Sequence, residues 1–293
     1  VNPAAGGGRC AQLAPPAIAR LREAGLVIDE VRTSARGDAQ RLARDAYARG
    51  VRRFIAVGGD GTAYEIANGL LPDALNGDAE RACLGFLPLG TGNSFLRDFT
   101  SRGAEHAIEA LQQDRRRACD VVRLIHDQGE LYYLNLLSVG FVADVAATAN
   151  RRFKWLGPAG YILAVVLQTA TLTSRSWRMR LDGNGSSDQA VVFVSFCNSR
   201  FTGGRMMMAP FADTADGKLD VIVAGAMGRL ALLSAFPRIF SGSHVRWSKI
   251  STSHARNIDL DVPHAVDLMI DGEVERHCPI RLEVLPSAID VSV

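Results

Sequence analysis

Two short segments constrain this chain more than any bulk property does: Gly58-Gly59-Asp60-Gly61-Thr62 and Leu89-Gly90-Thr91-Gly92-Asn93. Each follows an apolar run of strand length and leads into a stretch with helical periodicity. Strand, glycine turn and helix in repetition build a parallel sheet covered by helices. Such sheets bind ligands beyond the carboxyl ends of their strands. Glycine lets backbone approach a ligand closely, and N–H groups at a helix start hold anions. A third glycine-rich loop, "NPAAGGGR", occupies residues 2–9. Three such turns in one half of a chain suit a polyphosphate. The P-loop pattern and the G-x-G-x-x-G dinucleotide fingerprint are both absent.

The surrounding pattern predicts strands at 26–34, 53–59 and 83–90. It predicts helices at 37–50, from Thr62 to Leu71, from Asn93 onward and at 104–113. The texture changes near Ala118. A hairpin around "DQGE", one helical section over Val142–Ala170, short strands and one further helix at Gly228–Phe240 follow. The expected fold class is an α/β nucleotide-binding domain with a parallel sheet plus a β-rich second domain, an antiparallel sandwich. The expected boundaries are 1–122 and 123–283, with 284–293 returning to the first domain as an edge strand.

Composition narrows the function classes. Lys and Arg number 33 against 31 Asp and Glu, a formal charge of +2, which gives no nucleic-acid footprint. Arg115–Arg117 and Arg151-Arg152 read either as solvated faces or as attraction to an anionic surface. Five scattered cysteines without C-x-x-C argue against a disulfide framework or a zinc site and fit a reducing compartment. The apolar run 161–172 is too short to span a bilayer, and 219–236 is broken by Asp220 and Arg229. No signal peptide is visible, although the chain begins with Val. Isolated histidines such as His126 and His277 read as surface or core residues rather than ligands. Met206–Met208 read as core filling or as part of a lipid pocket.

The chain resembles the diacylglycerol-kinase catalytic-domain family, which includes bacterial soluble lipid kinases and the sphingosine and ceramide kinases. The matching pieces are "NPAAGGG" (2–8), "RTSARGDA" (32–39), "GGDGTAYEIANGL" (58–70), "LPLGTGNSFLRDF" (87–99), "LLSVGFVADV" (136–145), "ADGKLDV" (215–221) and "IDGE" (270–273). The resemblance implies transfer of the γ-phosphoryl group of ATP to a lipid hydroxyl. Gly58, Gly59, Asp60, Gly61 and Thr62 would line the ATP phosphates. Gly90, Thr91, Gly92 and Asn93 would form a second nucleotide turn, with Thr33 and Asn2 also reaching the nucleotide. Glu273 would be the catalytic base. Asp216, with backbone carbonyls near Asp213 and Lys218, would match a structural Mg²⁺ site.

Phosphoryl transfer needs positioning, charge neutralisation by a metal and an acceptor for the hydroxyl proton. Asp60 is read as organising Mg²⁺ at the phosphates, with Asp60 as the base the competing assignment. "IDGE" and "ADGK" are also ordinary turn sequences. The chain departs from the family pattern at Tyr64, often Asn, and at Ser94, often Asp. The expected cofactors are ATP and Mg²⁺, and the expected partners a lipid substrate of diacylglycerol type and the membrane periphery, with cytoplasmic localisation and a role in phospholipid synthesis. Two other readings stay open: an NAD kinase-like or other Gly-Gly-Asp-Gly kinase, and a non-catalytic nucleotide- or lipid-binding protein. The downstream Asn-Glu and "TPTGS"-like patterns of NAD kinases are missing. The oligomeric state is open, a homodimer being one option.

Overall fold

The structure is a computed structural model that describes residues 1–76, 80–153 and 158–293. The chain divides into two compact units, Val1–Val121 with Pro286–Val293, and Val122–Leu285.

In the first unit, α1 (Arg9–Glu23) and α2 (Asp38–Ala48) precede β1 (Arg53–Gly58). Then come α3 (Asp60–Leu70), β2 (Cys83–Pro88), α4 (Ala104–Gln112) and the start of β3 (Arg116–His126). β1 and β2 pair in parallel, Arg53 opposite Cys83 through Gly58 opposite Pro88. The chain returns at its end, and Asp290–Ser292 pair in parallel with Cys83–Gly85. Cys10, Ile18 and Leu21 of α1 close the core against Val57, Leu87, Ile108 and Leu111. α2 packs on α3 at Gly69, where a Cβ would lie 2.2 Å from the Gln40 carbonyl oxygen.

Three local expectations need correction. Residues 26–34 form no strand. A strand needs a neighbour, and this segment pairs with little more than one residue: Val1 donates to the Val31 carbonyl at 2.8 Å and its own carbonyl accepts from the Thr33 N–H at 2.9 Å. A cavity of about 780 Å³ is lined by Leu26–Val31 of this segment together with residues of α1, α2, β1 and β2 such as Ile18, Leu42, Ile55 and Leu87. The helix expected from Asn93 is one 3-10 turn, Phe95–Asp98. Conversely, α1 was not expected, because Pro15 and Pro16 lie inside it. Both prolines are exposed on the helix, so the carbonyls they leave unbonded face water.

The second unit is mostly antiparallel. The end of β3 and β4 (Gly129–Tyr133) form the expected hairpin. β5 (Leu136–Gly140) then leads into α5 (Phe141–Arg152) and α6 (Pro158–Ala170). The single helical section expected over Val142–Ala170 is thus two helices, with residues 154–157 outside the described residues. β6 (Arg175–Leu181), β7 (Asn184–Cys197), the short pair β8 (Phe201–Thr202) and β9 (Met206–Met207), and β10 (Leu219–Gly225) follow. α7 (Arg229–Ala235) replaces the longer helix expected to Phe240, whose end is a 3-10 turn. The last strands are β11 (Ile250–Ala255), β12 (Asn257–Asp261), β13 (Val266–Ile270), β14 (Glu273–His277) and β15 (Pro279–Ser292). The order β12-β6-β7-β5-β13-β14 sets β5 and β7 at the centre. α5, α6 and α7 bury Phe141, Val145, Val165 and Leu232 with Phe193, Met208 and Ile222 of the strands and loops.

Candidate functional site

The glycine turns of the first unit touch one another. β1 ends at Gly58, Gly59 is extended, and α3 starts at Asp60. The Gly90 N–H donates to the Gly58 carbonyl at 2.7 Å. A Cβ on Gly90 would lie 2.4 Å from the Gly59 Cα, so any side chain there forces the turns apart. The N-terminal loop joins them. The Asn2 N–H donates to the Val57 carbonyl at 2.9 Å, and its amide donates to the Thr62 hydroxyl at 3.1 Å. A Cβ on Gly6 would lie 2.7 Å from the Leu89 carbonyl oxygen. The three loops therefore form one crest at the carboxyl ends of β1 and β2. The first N–H groups of α3 lack acceptors within the helix and carry its positive dipole end.

Asp60 is the staple of this crest. Its carboxylate accepts the N–H of Ser94 at 2.8 Å and that of Phe95 at 3.3 Å. Desolvation lifts its carboxyl above the ordinary range, although these N–H donors and the Ser94 hydroxyl pull the other way. The Ser94 hydroxyl also donates to this carboxylate, so the departure from the family pattern at 94 keeps a polar partner for Asp60. Tyr64 turns into the core of α3 and is 5 % exposed. Asn93 is left-handed (φ 49°), and its amide donates to the carbonyls of Pro88 at 3.1 Å and Gly90 at 2.9 Å. Thr91 is exposed at the tip, and Gly92 fits tightly: a Cβ there would lie 2.9 Å from Asp60 Oδ2.

Thr33 is half-buried beside Val1, and its hydroxyl donates to the Val1 carbonyl at 3.4 Å. Two carboxylates not singled out from the sequence shape the loop after it. Asp38 accepts the Ser34 N–H and hydroxyl at 2.8 and 2.6 Å and the Ala35 N–H at 3.0 Å, which holds its carboxyl well below the usual range. Glu65 reaches from α3 to the start of α2, accepting the N–H of Gly37 at 2.9 Å and of Ala39 at 3.1 Å. An acidic residue beside a helix start is a signal for Asp38. Glu65 acts at long range, which spacing does not show.

In the second unit "IDGE" is indeed a hairpin turn. Asp271 and Gly272 have φ of 48° and 89°, the left-handed pair of a type I′ turn between β13 and β14. The buried Asp271 carboxylate accepts three backbone N–H groups, from Leu134 at 2.9 Å and from Asn135 and Leu136 at 3.0 Å each. Those residues form the break between β4 and β5. Glu273 opens β14 directly after this clamped turn and is half-buried. Asp213 and Asp216 are exposed on one turn before β10. Asp213 accepts the Ala215 N–H at 3.1 Å and Asp216 that of Lys218 at 2.9 Å. Behind them Asp220 is buried 3.5 Å from His254, and its carboxyl is raised by desolvation while His254 and Asp216 pull in opposite directions. Asp213 and Asp216 present carboxylate oxygens, the donor type that a hard divalent cation takes.

The structure also gathers His126, Asp127 and His277, which the sequence presented as unrelated. Their ligand atoms lie within 4.8 Å of one another. The two imidazoles pack with centroids 3.9 Å apart and planes tilted by 42°, and Asp127 laces the turn to Cys278, accepting its N–H at 2.9 Å. Below α5, α6 and α7 lies an apolar cavity of about 50 Å³, lined among others by Val142, Tyr161, Val165, Met206, Met208 and Met227. Met206 and Met208 thus serve core and cavity wall together.

Comparison with known proteins agrees with this architecture. Residues 1–124 match the family described as diacylglycerol kinase catalytic domain, and residues 135–293 match the YegS C-terminal NAD kinase beta sandwich-like domain. A diacylglycerol kinase of Mycobacterium tuberculosis is 30% identical over 294 residues, covering 99% of this chain and 92% of the relative. A probable lipid kinase YegS-like of Chromohalobacter salexigens is 31% identical over 293 residues, covering 96% and 89%. A crystal structure of a putative diacylglycerol kinase from Bacillus anthracis str. Sterne superposes with a TM-score of 0.81, at 23% identity over 99% of this chain and 92% of that one. With a glycine-turn crest in one unit and antiparallel strands in the other, the chain belongs to the diacylglycerol kinase family of lipid kinases.

Proposed function

We propose that this protein transfers the γ-phosphoryl group of ATP, with Mg²⁺, to the hydroxyl of a diacylglycerol-like lipid. The observation that carries the reading is the crest. Three glycine-rich loops meet where a helix start presents N–H groups, and close contacts exclude side chains at Gly90, Gly92 and Gly6. That surface suits a polyphosphate. Gly58, Gly59, Gly61 and Thr62 hold the phosphates from one turn, and Gly90, Thr91, Gly92 and Asn93 from the other. Asn2 and Thr33 support them. Asp60, already bonded to Ser94 and Phe95, fixes the second turn and organises Mg²⁺ through its remaining lone pairs or through water. The metal would neutralise charge on the phosphates when bound.

Glu273 takes the proton of the attacking hydroxyl. Its place after a turn clamped by three N–H bonds supports this role, because a base must be held in position. Asp216, with carbonyls near Asp213 and Lys218, holds a second, structural Mg²⁺. Relatives named diacylglycerol kinase and probable lipid kinase support a lipid acceptor. The relative named diacylglycerol kinase favours diacylglycerol within that class.

The test is transfer of label from γ-labelled ATP to a panel of lipid alcohols in detergent micelles. Label enters a diacylglycerol and stops when EDTA removes Mg²⁺. Label in no lipid, with ATP bound normally, favours the non-catalytic reading; label in NAD favours the other Gly-Gly-Asp-Gly kinases.

A further inference from the structure

The β3–β4 turn and the end of β14 carry a cluster that phosphotransfer does not use. His126 ends β3, Asp127 follows it in the turn, and His277 ends β14. All three belong to the second unit. Backbone and side chain lace the two segments together. The Asp127 N–H donates to the Cys278 carbonyl at 3.2 Å, and the Asp127 carboxylate accepts the Cys278 N–H at 2.9 Å. One ligand atom from each of the three side chains lies within 4.8 Å of the other two. Asp127 Oδ1 is 3.7 Å from His126 Nδ1, so carboxylate and imidazole face one spot.

Two observations go beyond proximity. The His277 Nδ1 atom is buried and has no hydrogen-bond partner among the described residues, whereas buried polar atoms are as a rule bonded. The other ring nitrogen, Nε2, lies 3.2 Å from Glu275 Oε2. An ionised carboxylate only accepts, so Nε2 carries the hydrogen and Nδ1 keeps its lone pair. This carboxylate–histidine arrangement is the one that fixes a metal ligand in a single tautomer. His126 Nδ1 accepts the Gln128 N–H at 3.2 Å, at the long end of the range, and a coordinate bond there would take that donor's place. Asp127 is exposed, so an ion can enter from solvent.

We propose that His126, Asp127 and His277 form a binding site for one divalent ion of the zinc class. Two imidazoles and one carboxylate suit Zn²⁺, Co²⁺ or Ni²⁺, whereas Mg²⁺ and Ca²⁺ take oxygen ligands. A tetrahedral ion with bonds of about 2.0–2.1 Å sets its ligands about 3.3 Å apart, so the donors need to close by about 1.5 Å at most. Water fills the fourth position, and Glu275 holds His277 from the far side of the ring. The bound ion ties β14, the last strand of the sheet path and the one that starts at Glu273, to the β3–β4 hairpin. The site shares no residue with the turn of Asp213 and Asp216, and the inference does not depend on phosphotransfer.

The test uses the full chain, stripped with EDTA, exchanged into metal-free buffer and titrated calorimetrically with Zn²⁺ alone. Zn²⁺ binds, raises the thermal midpoint and slows hydrogen exchange along β14. Excess Mg²⁺ does not displace it. His277→Gln and Asp127→Asn each weaken Zn²⁺ binding about tenfold or more, and Glu275→Gln, acting through His277, weakens it about tenfold. Asp127→Asn keeps an acceptor for the Cys278 N–H, so it decides the matter if His277→Gln fails to fold. Absence of Zn²⁺ binding in the wild type overturns the proposal and leaves the two imidazoles as a packing pair. Undiminished binding in Asp127→Asn overturns it as well and sends the ion to other groups, the cysteine thiols first. Ready displacement of Zn²⁺ by Mg²⁺ overturns the class of metal.

Discussion

At the scale of single residues, Asp60 shows how one carboxylate both builds and burdens a site. Its bonds to Ser94 and Phe95 join the two glycine turns, while desolvation raises its carboxyl above the ordinary value of 3.8. The sign of the pH effect follows. Well below pH 3.8 both folded and unfolded states hold the proton, and Asp60 imposes no ionisation cost. As pH rises, the unfolded state ionises first, so the native state loses stability until the raised native value is passed. Asp60→Asn lacks this term. Urea midpoints of wild type minus variant, measured without nucleotide or metal from pH 3.5 to 7, are expected to fall as pH rises; a difference that rises with pH contradicts this account of Asp60.

The element scale is where sequence and structure part most instructively. The apolar run and glycines of β1 and α3 were legible because burial and turn geometry are both local. Residues 26–34 were overread, since alternation reports that a segment is extended but not whether it has a partner. α1 was missed because two prolines are read as breakers unless one sees that their side of the helix faces water. The turn at Asp271-Gly272 was legible as a turn. Its three N–H bonds to residues 134–136 were not, because they span over 130 positions. That clamp should matter to the whole β13–β14 hairpin. Asp271→Ala leaves three buried donors without their acceptor, and a loss of about 3–5 kcal/mol in denaturant unfolding is expected. A loss below about 1 kcal/mol would mean that the clamp is not what holds the turn in front of Glu273.

At the scale of the molecule, the three glycine-rich loops were legible in the sequence but how they meet was not. Gly90 against Gly59, and Gly6 against Leu89, are contacts between distant segments, and only the folded backbone reveals them. We propose a division of labour, with Asp60 shaping the nucleotide and metal site and Glu273 acting as base. The most direct measurement is the effect of Glu273→Gln on turnover and on ATP affinity, with Asp60→Asn alongside. Glu273→Gln is expected to lower kcat about 100-fold or more with ATP affinity unchanged, and Asp60→Asn to weaken Mg²⁺-ATP binding as well as turnover. Near-normal kcat in Glu273→Gln, with turnover lost and nucleotide binding intact in Asp60→Asn, would contradict it and make Asp60 the base.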